Sequence, residues 1–514
     1  MFSRDNSNET VSLSDLLLIF CLVVSFKILF FFTGFILEDS FIVFRSAFHL
    51  ADFGKFSYNL DELNSAITSK AFGLICAWLR ILFNEYAILS IVLFNSILSF
   101  FSSLFMYLSI KNIFGEKVLK QKSLFYFLII FIFLNPSISI IGIVGLEFSI
   151  LVFFMSLILL AITKNSKYLL LLSFFIPLLR IEMIGFIFIV SFTYLLFFKI
   201  KNFLIVLFSG FFGVFLNGYL NEKFDGSFFP GTAISKWSTL SNEGAFSIER
   251  FFVDLYSWFF GSRSYFLGVF SKFIPTIIYL FFAILIICLC IYYLRFLLIH
   301  KYKGVDYKKK VFFISISASV ILLPLSYVIG GHVWDWYLYP YAFLSYILLS
   351  SYLINLKNFK NLNILCIAIL LFFTFFQFVV LKNIGFQENS YRSVVGKDIF
   401  NMSSDPKKDT LFLEPTGYVA FYAKIKTYDT VGLSSKVIRK YRDKYKNRRW
   451  WLDFIEDFNP TFILDRSDII GGGYSHDGEY GLSKSEIDWF SKNYTLVKKY
   501  KYHEYVEKFS GSLE

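Results

Sequence analysis

Long apolar runs separated by short charged loops set the pattern of this chain. The first run, Val11 to Leu37, exceeds the roughly 20 residues that a helix needs to cross a bilayer, and it ends on the acid pair Glu38-Asp39. Beyond it Phe41, Phe44 and Phe48 recur at helical spacing, with Arg45, His49 and Asp52 on the opposite side. This predicts an amphipathic helix in the membrane interface with both acids in its first turn. Ala66 to Phe83 is short, carries Lys70 and Arg80, and reads as a second interfacial helix. Further spans are expected at roughly Tyr86–Phe114, Ser123–Ile141, Leu146–Thr163, Tyr168–Leu179, Met183–Phe198 and Phe203–Leu220. Four more are expected at roughly Phe273–Ile299, Val311–Ile329, Leu338–Leu353 and Leu362–Val380, about eleven crossings in all.

The basic loops Lys117–Lys122, Lys164–Lys167, Lys199–Lys201, Arg295–Lys310 and Lys357–Lys360 then share one side, which the positive-inside rule makes cytoplasmic. The amino terminus lies on that side, and the odd count places residues 382–514 outside. There the charges mix, Gly471-Gly472-Gly473 marks a turn, and Thr410–Leu413 and Thr461–Leu464 read as strands. The expected architecture is an all-α polytopic membrane domain over 1–381, with outer loops at 38–85 and 221–264, and a small extracytoplasmic α/β domain over 382–514.

Composition agrees with this reading: 56% of the 514 residues are hydrophobic, 21% aromatic and only 17% charged, which excludes a soluble domain with a polar surface. The net charge of +12 sits mostly in the short loops, where it sets orientation rather than binding nucleic acid. All five cysteines (Cys21, Cys76, Cys288, Cys290, Cys366) lie in or beside apolar runs, so neither a disulfide framework nor a zinc site is indicated. The first run lacks a small-residue cleavage pattern and reads as a signal anchor. The 70 phenylalanines serve lipid contact and packing.

Candidate chemistry gathers on the outer face. Besides Glu38 and Asp39 it comprises Gly145-Leu146-Glu147, Arg180-Ile181-Glu182, the 221–264 loop with Lys236, and Gly330-Gly331-His332 through Tyr337. Charged groups beside a bilayer usually face a cavity or partner rather than lipid, so an outward-opening polar cavity is expected. A sugar carried on a lipid phosphate already has a good leaving group and mainly needs a base for the acceptor hydroxyl. Cations such as Arg180, Lys236 and His332 would stabilise the departing phosphate.

These residues resemble the large membrane glycosyltransferases of the GT-C fold, and especially their arabinofuranosyltransferase-like bacterial branch. That branch has two acids, a "FI-x-FR-x-A-x-x-LA" helix and a "G-x-x-x-N" turn, and here Glu38-Asp39-Ser40-Phe41-Ile42-Val43-Phe44-Arg45 leads through Leu50-Ala51 to Gly54 and Tyr58-Asn59. Gly145-Leu146-Glu147 looks like its "GME", Arg180-Ile181-Glu182 like its "RPE", Pro230-Gly231-Thr232 with Lys236 like its "PNT-x-x-x-K", and Tyr428-Asp429 with Gly432-Leu433 like its "D-x-x-GL". The departures are Glu38 for Asp, Ile181 for Pro and Gly231 for Asn.

The resemblance implies a GT-C membrane glycosyltransferase of the bacterial inner membrane. It would use a polyprenyl-phosphate-linked sugar donor and a glycan or lipid-linked acceptor, and would act by inverting displacement with Asp39 as base. Glu38 would orient the acceptor or assist through a divalent cation, Arg45 would pair with the acids, and Glu147, Arg180, Glu182, Lys236, His332 and Tyr337 would contact substrate. Plainer readings stand beside these: Asp39 as a helix cap, Arg45 and His49 as a solvated face, Arg180 and Glu182 as a turn pair, Lys236 as an ordinary loop lysine and His332 as a donor to a nearby carbonyl. Lys27, inside the first run, either snorkels or partners another helix. Trp450, Trp451, Tyr474 and His476 either stack on sugar rings or complete a small core. A transporter or flippase for a lipid-linked glycan, or a receptor scaffold, are the alternatives from other classes.

Overall fold

The computed structural model describes residues 13–115, 145–233, 276–299, 306–329, 337, 339–354, 368, 371–372, 375, 378–413, 416–445, 450–465, 483–500 and 503–508. The expected spans Ser123–Ile141 and, for most of its length, Leu362–Val380 lie outside these residues, as do Lys236, His332, Tyr474 and His476.

The chain opens with α1 (Leu13–Phe31), α2 (Glu38–Phe53), α3 (Lys70–Phe83) and α4 (Ala87–Phe114). Next come α5 (Phe148–Lys164), the short α6 (Lys167–Leu171) and α7 (Phe175–Leu179), α8 (Ile184–Leu196) and α9 (Ile200–Asp225). Then follow α10 (Thr276–Ile299), α11 (Tyr307–Ile329), α12 (Tyr339–Leu353) and α13 (Ser393–Met402). The carboxyl-terminal part runs β1 (Thr410–Leu413), α14 (Tyr418–Ala423), β2 (Lys426–Asp429), α15 (Lys436–Tyr445), α16 (Trp450–Phe458), β3 (Phe462–Asp465), α17 (Lys484–Asn493), β4 (Thr495–Tyr500) and β5 (His503–Lys508).

Packing divides the chain into two units, 1–36 with 88–217 and 244–384, and 37–87 with 218–243 and 385–514. The first unit is the helical one. Its helix α5 is buried from Phe148 to Thr163 with few breaks, and α12 is buried nearly all round, as helices at the centre of a bundle must be. Helix α9 instead exposes Phe208, Phe211, Phe212 and Phe215, an apolar face suited to lipid. Lys27 is fully buried rather than snorkelling.

Three helical stretches among the described residues are long and apolar enough to cross a membrane, Ser14–Phe31, Lys70–Phe114 and Ile200–Asp225. The second is interrupted at Asn84, where φ is 46° and a 3-10 turn joins α3 to α4. The two spans expected at Tyr168–Leu179 and Met183–Phe198 are not matched by helices of spanning length. α6 and α7 are five residues each and α8 is 13, or about 20 Å at 1.5 Å per residue. The break falls at Arg180, which is extended (φ −145°, ψ 110°).

The second unit collects the segment 37–87, the end of α9 and the carboxyl-terminal region. Its sheet has the order β2-β1-β3-β5-β4, with β1 parallel to β2 and β3, and β5 antiparallel to β3 and β4. Side chains alternate across a strand, and both faces are apolar. Leu411, Leu413, Phe462 and Leu464 pack with Val395, Ile399 and Val419 of α13 and α14. Phe412 and Ile463 pack on the other side with Ile438, Phe454 and Phe490 of α15, α16 and α17. Trp451 lies in that second core with Trp450 against it, so the two tryptophans complete a core. The expected strands at 410–413 and 461–464 are β1 and β3.

Helix α2 ends where Gly54 turns left-handed (φ 71°) and its N–H returns to the carbonyls of His49 and Leu50, a glycine-terminated helix stop. It is held to α3 by the two-pronged pair of Arg80 with Asp52, at 3.1 Å for each prong. Lys70 is buried within the protein: its ammonium is 2.7 Å from the Asp225 carboxylate, with both side chains essentially inaccessible. Asp225 also accepts from the backbone N–H and hydroxyl of Ser65, each at 2.8 Å. Removing one member of a buried pair strands the other charge, so Lys70→Met is expected to cost about 3 kcal/mol. The double variant Lys70→Met/Asp225→Leu is expected to recover most of the loss. Thermal unfolding of the purified protein in detergent checks both, and a wild-type melting temperature for the single variant would contradict the pairing.

Candidate active site

The acid pair opens α2, where unpaired backbone N–H groups favour negative charge. Leu37 before it is extended and gives no side-chain cap, so the first turn depends on its carboxylates and on what meets them. Glu38 Oε1 accepts from the backbone N–H groups of Gly417 at 2.6 Å and Tyr418 at 3.0 Å. Its Oε2 accepts from Arg392 Nη1 at 2.7 Å. Arg392 Nε in turn lies 3.1 Å from Glu388 Oε2. Burial raises the Glu38 carboxyl above its ordinary range, opposed by the Arg392 charge and the two amides. Glu388 is pushed up to about 7, again chiefly by burial and against the pull of Arg392. Asp39 is half-buried beside them in the first turn.

Arg45 does not pair with the acids. Its guanidinium donates to the backbone carbonyls of Tyr58 at 3.0 Å, Ile425 at 2.6 Å and Ala420, and stacks 4.6 Å over the Tyr58 ring. Only 5% of it is exposed, so it is neither a substrate contact nor part of a solvated face. The guanidinium that Glu38 uses is Arg392, 354 residues away in sequence, and no local pattern marks it. His49 Nδ1 is 2.9 Å from the Ser57 carbonyl, and burial and then Arg45 lower it to about 4. It is therefore a neutral ring donating through Nδ1.

The remaining motif residues knit this unit together. Tyr58 donates to the Thr416 carbonyl at 2.6 Å, and burial pushes its hydroxyl up to about 12. Asn59 makes a reciprocal pair with Thr427, its Nδ2 donating to the carbonyl at 2.9 Å and its Oδ1 accepting from the N–H at 3.0 Å. Asp429 accepts from the N–H groups of Leu433 at 2.8 Å and Ser434 at 2.6 Å around the left-handed Gly432. Asn64 donates to the Leu433 carbonyl at 3.0 Å.

A second polar cluster lies in the helical unit. Arg180 Nη1 is 3.0 Å from Glu147 Oε1 and its Nε 2.6 Å from Glu182 Oε1. Its guanidinium lies 5.2 Å from the Phe148 ring centre and 4.5 Å from that of Tyr337. Four of the sequence candidates therefore meet here. Among the described residues the group sets two carboxylates against one cation. Glu182 is its accessible member, 30% exposed where Glu147 is 4%.

Among the described residues no group of three or more His, Cys, Asp or Glu side chains is arranged to hold a metal ion. Glu38 does not fit a cation site either, because its two oxygens already accept three N–H groups, one of them cationic.

Residues 382–511 match a family model described as a domain of unknown function, DUF8728. No curated protein matches the sequence. Among solved structures, ArnT from Cupriavidus metallidurans bound to undecaprenyl phosphate is similar over 97% of this chain and 99% of that one, with a TM-score of 0.58 and 11% identity. The chain has the GT-C fold. That likeness is one of architecture and does not select the arabinofuranosyltransferase-like branch.

Arg180→Met leaves the buried Glu147 without its cation and is expected to lower stability by about 3 kcal/mol. Glu182→Gln, at the exposed edge of the same cluster, is expected to cost less than about 1 kcal/mol. Melting curves in detergent measure both, and equal losses would contradict the asymmetry of burial.

Proposed function

We propose that this chain is an integral-membrane glycosyltransferase that moves a sugar from a polyprenyl-phosphate donor to a cell-envelope glycan or lipid-linked acceptor. The observation that carries the reading is the GT-C fold over nearly the whole length of both chains, shared with a structure that holds undecaprenyl phosphate. The acid pair at the start of α2 supplies the chemistry. The base in this reading is Asp39, as the family resemblance implies, beside Glu38, whose carboxylate accepts from three N–H donors.

In this reading the acceptor hydroxyl oxygen attacks the anomeric carbon as its proton passes to Asp39. The bond from that carbon to the phosphate oxygen breaks, its electron pair leaves on the lipid phosphate, and the anomeric configuration inverts. This reading assigns Lys236 and His332 to the departing phosphate, where their charge would stabilise it. The Arg180, Glu147, Glu182 and Tyr337 cluster contacts the hydroxyls of a sugar. The order of the motifs favours the arabinofuranosyltransferase-like branch, in a bacterial plasma membrane with the amino terminus cytoplasmic and residues 382–514 outside.

A general base contributes about 10²- to 10⁴-fold, so Asp39→Asn is expected to lower transfer from a polyprenyl-phosphate sugar by about a thousandfold at unchanged melting temperature. The assay uses the purified chain in detergent, after native mass spectrometry of its co-purified lipids has identified the sugar. Undiminished transfer by this variant, or lipid movement across liposomes without any transfer, would overturn the reading.

A further inference from the structure

We infer that Arg392 is a positioning residue for the acid pair, clamping Glu38 so that Asp39 is presented to the acceptor, and that the domain of unknown function is thereby part of the catalytic apparatus. This rests on the assignment of Asp39 as base. It goes beyond that assignment because it gives the 382–511 region a task in the reaction itself.

The first observation is the fork. Arg392 Nη1 donates to Glu38 at 2.7 Å, while its Nε lies 3.1 Å from Glu388 Oε2 as an ion pair without a hydrogen bond, so a single planar cation lies against two carboxylates, a spread that a lysine ammonium matches less well. The second is the local backbone. Residues Glu388–Arg392 form a single π-helical turn directly before α13, a rare insertion that redirects side chains and recurs at functional sites. The third is Gly417. A Cβ there would lie 2.1 Å from the Glu38 carbonyl oxygen and 2.7 Å from its carboxyl carbon, so only glycine permits the amide to close on Glu38.

Amides and fork together hold both oxygens of Glu38 from two points of one domain. Asp39, the next residue on the same helix, inherits that placement through the backbone. The charged and titratable groups facing Glu38 are Arg392 and Glu388 from the segment before α13, Tyr58 from the outer loop and Asp39 on its own helix.

The test compares Arg392→Gln, Arg392→Lys and Asp39→Asn in the full chain, measuring kcat, KM, the pH profile of kcat and the melting temperature. A misplacement of about 1 Å at a reacting group can cost about a hundredfold. Arg392→Gln is therefore expected to lower kcat about a hundredfold with KM changed less than about threefold. Arg392→Lys is expected to recover about half of that loss on a logarithmic scale. The acid limb of the profile should move to higher pH in the Gln variant, because Glu38 and Glu388 both lose the cation that favours their ionised forms. A folded Arg392→Gln with wild-type kcat and an unmoved acid limb overturns the inference. If Asp39→Asn is inactive in the same series, only the positioning role falls; if Asp39→Asn turns over normally, the base assignment falls instead. Should Arg392→Gln fail to fold, Arg392→Lys carries the test alone, and wild-type kcat with an unmoved acid limb in that variant overturns the inference.

Discussion

A buried charge must be met by hydrogen bonds or it destabilises the fold by several kcal/mol, and α2 brings two of them, Glu38 and Arg45, to one short stretch of chain. Glu38 rests on the amides of Gly417 and Tyr418, and Arg45, seven residues on, rests on the carbonyls of Ala420 and Ile425. Between them Phe41 lies on the Tyr418 ring at 3.9 Å between centroids. Residues i, i+3 and i+7 share a helix face, so Arg45 lies beside Phe41 rather than opposite it, and one stripe of α2 reads an acid, an aromatic and a base against segment 416–425. The helix supplies the charges and the segment supplies the backbone dipoles. Neither half satisfies its polar groups without the other, which is why residues 37–87 pack with residues 385–514 although hundreds of residues separate them in the chain.

The elements were largely legible in the sequence because they depend on local pattern. Helix α2 follows from the spacing of Phe41, Phe44 and Phe48, and strands β1 and β3 follow from short apolar runs between turn residues. The carboxyl-terminal sheet came with its crossovers hidden, since Lys426–Asp429 is too short and too polar to read as a strand. The pairings were not legible. Arg45 looks like a solvated residue on a polar face, yet it is buried, because α14 covers that face. Lys70 looks like an interfacial cation, but its partner Asp225 closes a helix that reads as a membrane span. Periodicity reports which face of an element is polar, not whether that polarity is met by water or by protein.

The same distinction governs the helical unit. Gly145-Leu146-Glu147 and Arg180-Ile181-Glu182 stand out in sequence as charges beside apolar runs, and they do meet. Their joint charge was not evident from either alone. Arg180 read singly is a phosphate ligand; among the described residues it is paired with both Glu147 and Glu182. An anionic phosphate gains little from such a group, whereas sugar hydroxyls can both donate to the carboxylates and accept from the guanidinium. Arg180 itself sits at the extended break between α7 and the 3-10 turn 181–183.

Gly231 shows how a motif departure can arise from packing rather than chemistry. Where the resembling family has asparagine, this chain has glycine, and a Cβ at that position would lie 3.0 Å from Arg439 Nη1 and 3.2 Å from Asn64 Oδ1. Arg439 donates to the Gly231 carbonyl at 3.0 Å, so an arginine from α15 occupies the space beside the Pro230-Gly231-Thr232 turn. Thr232 keeps its hydroxyl 3.0 Å from that of Thr68, and the Gly231 N–H faces Asp225 at 3.4 Å. The turn is thus anchored on both sides without a side chain of its own at 231. A side chain there would meet the ends of the Arg439 and Asn64 side chains, which would have to give by a few tenths of an ångström. The glycine thus leaves room beside the turn for the Arg439 guanidinium that donates to its carbonyl.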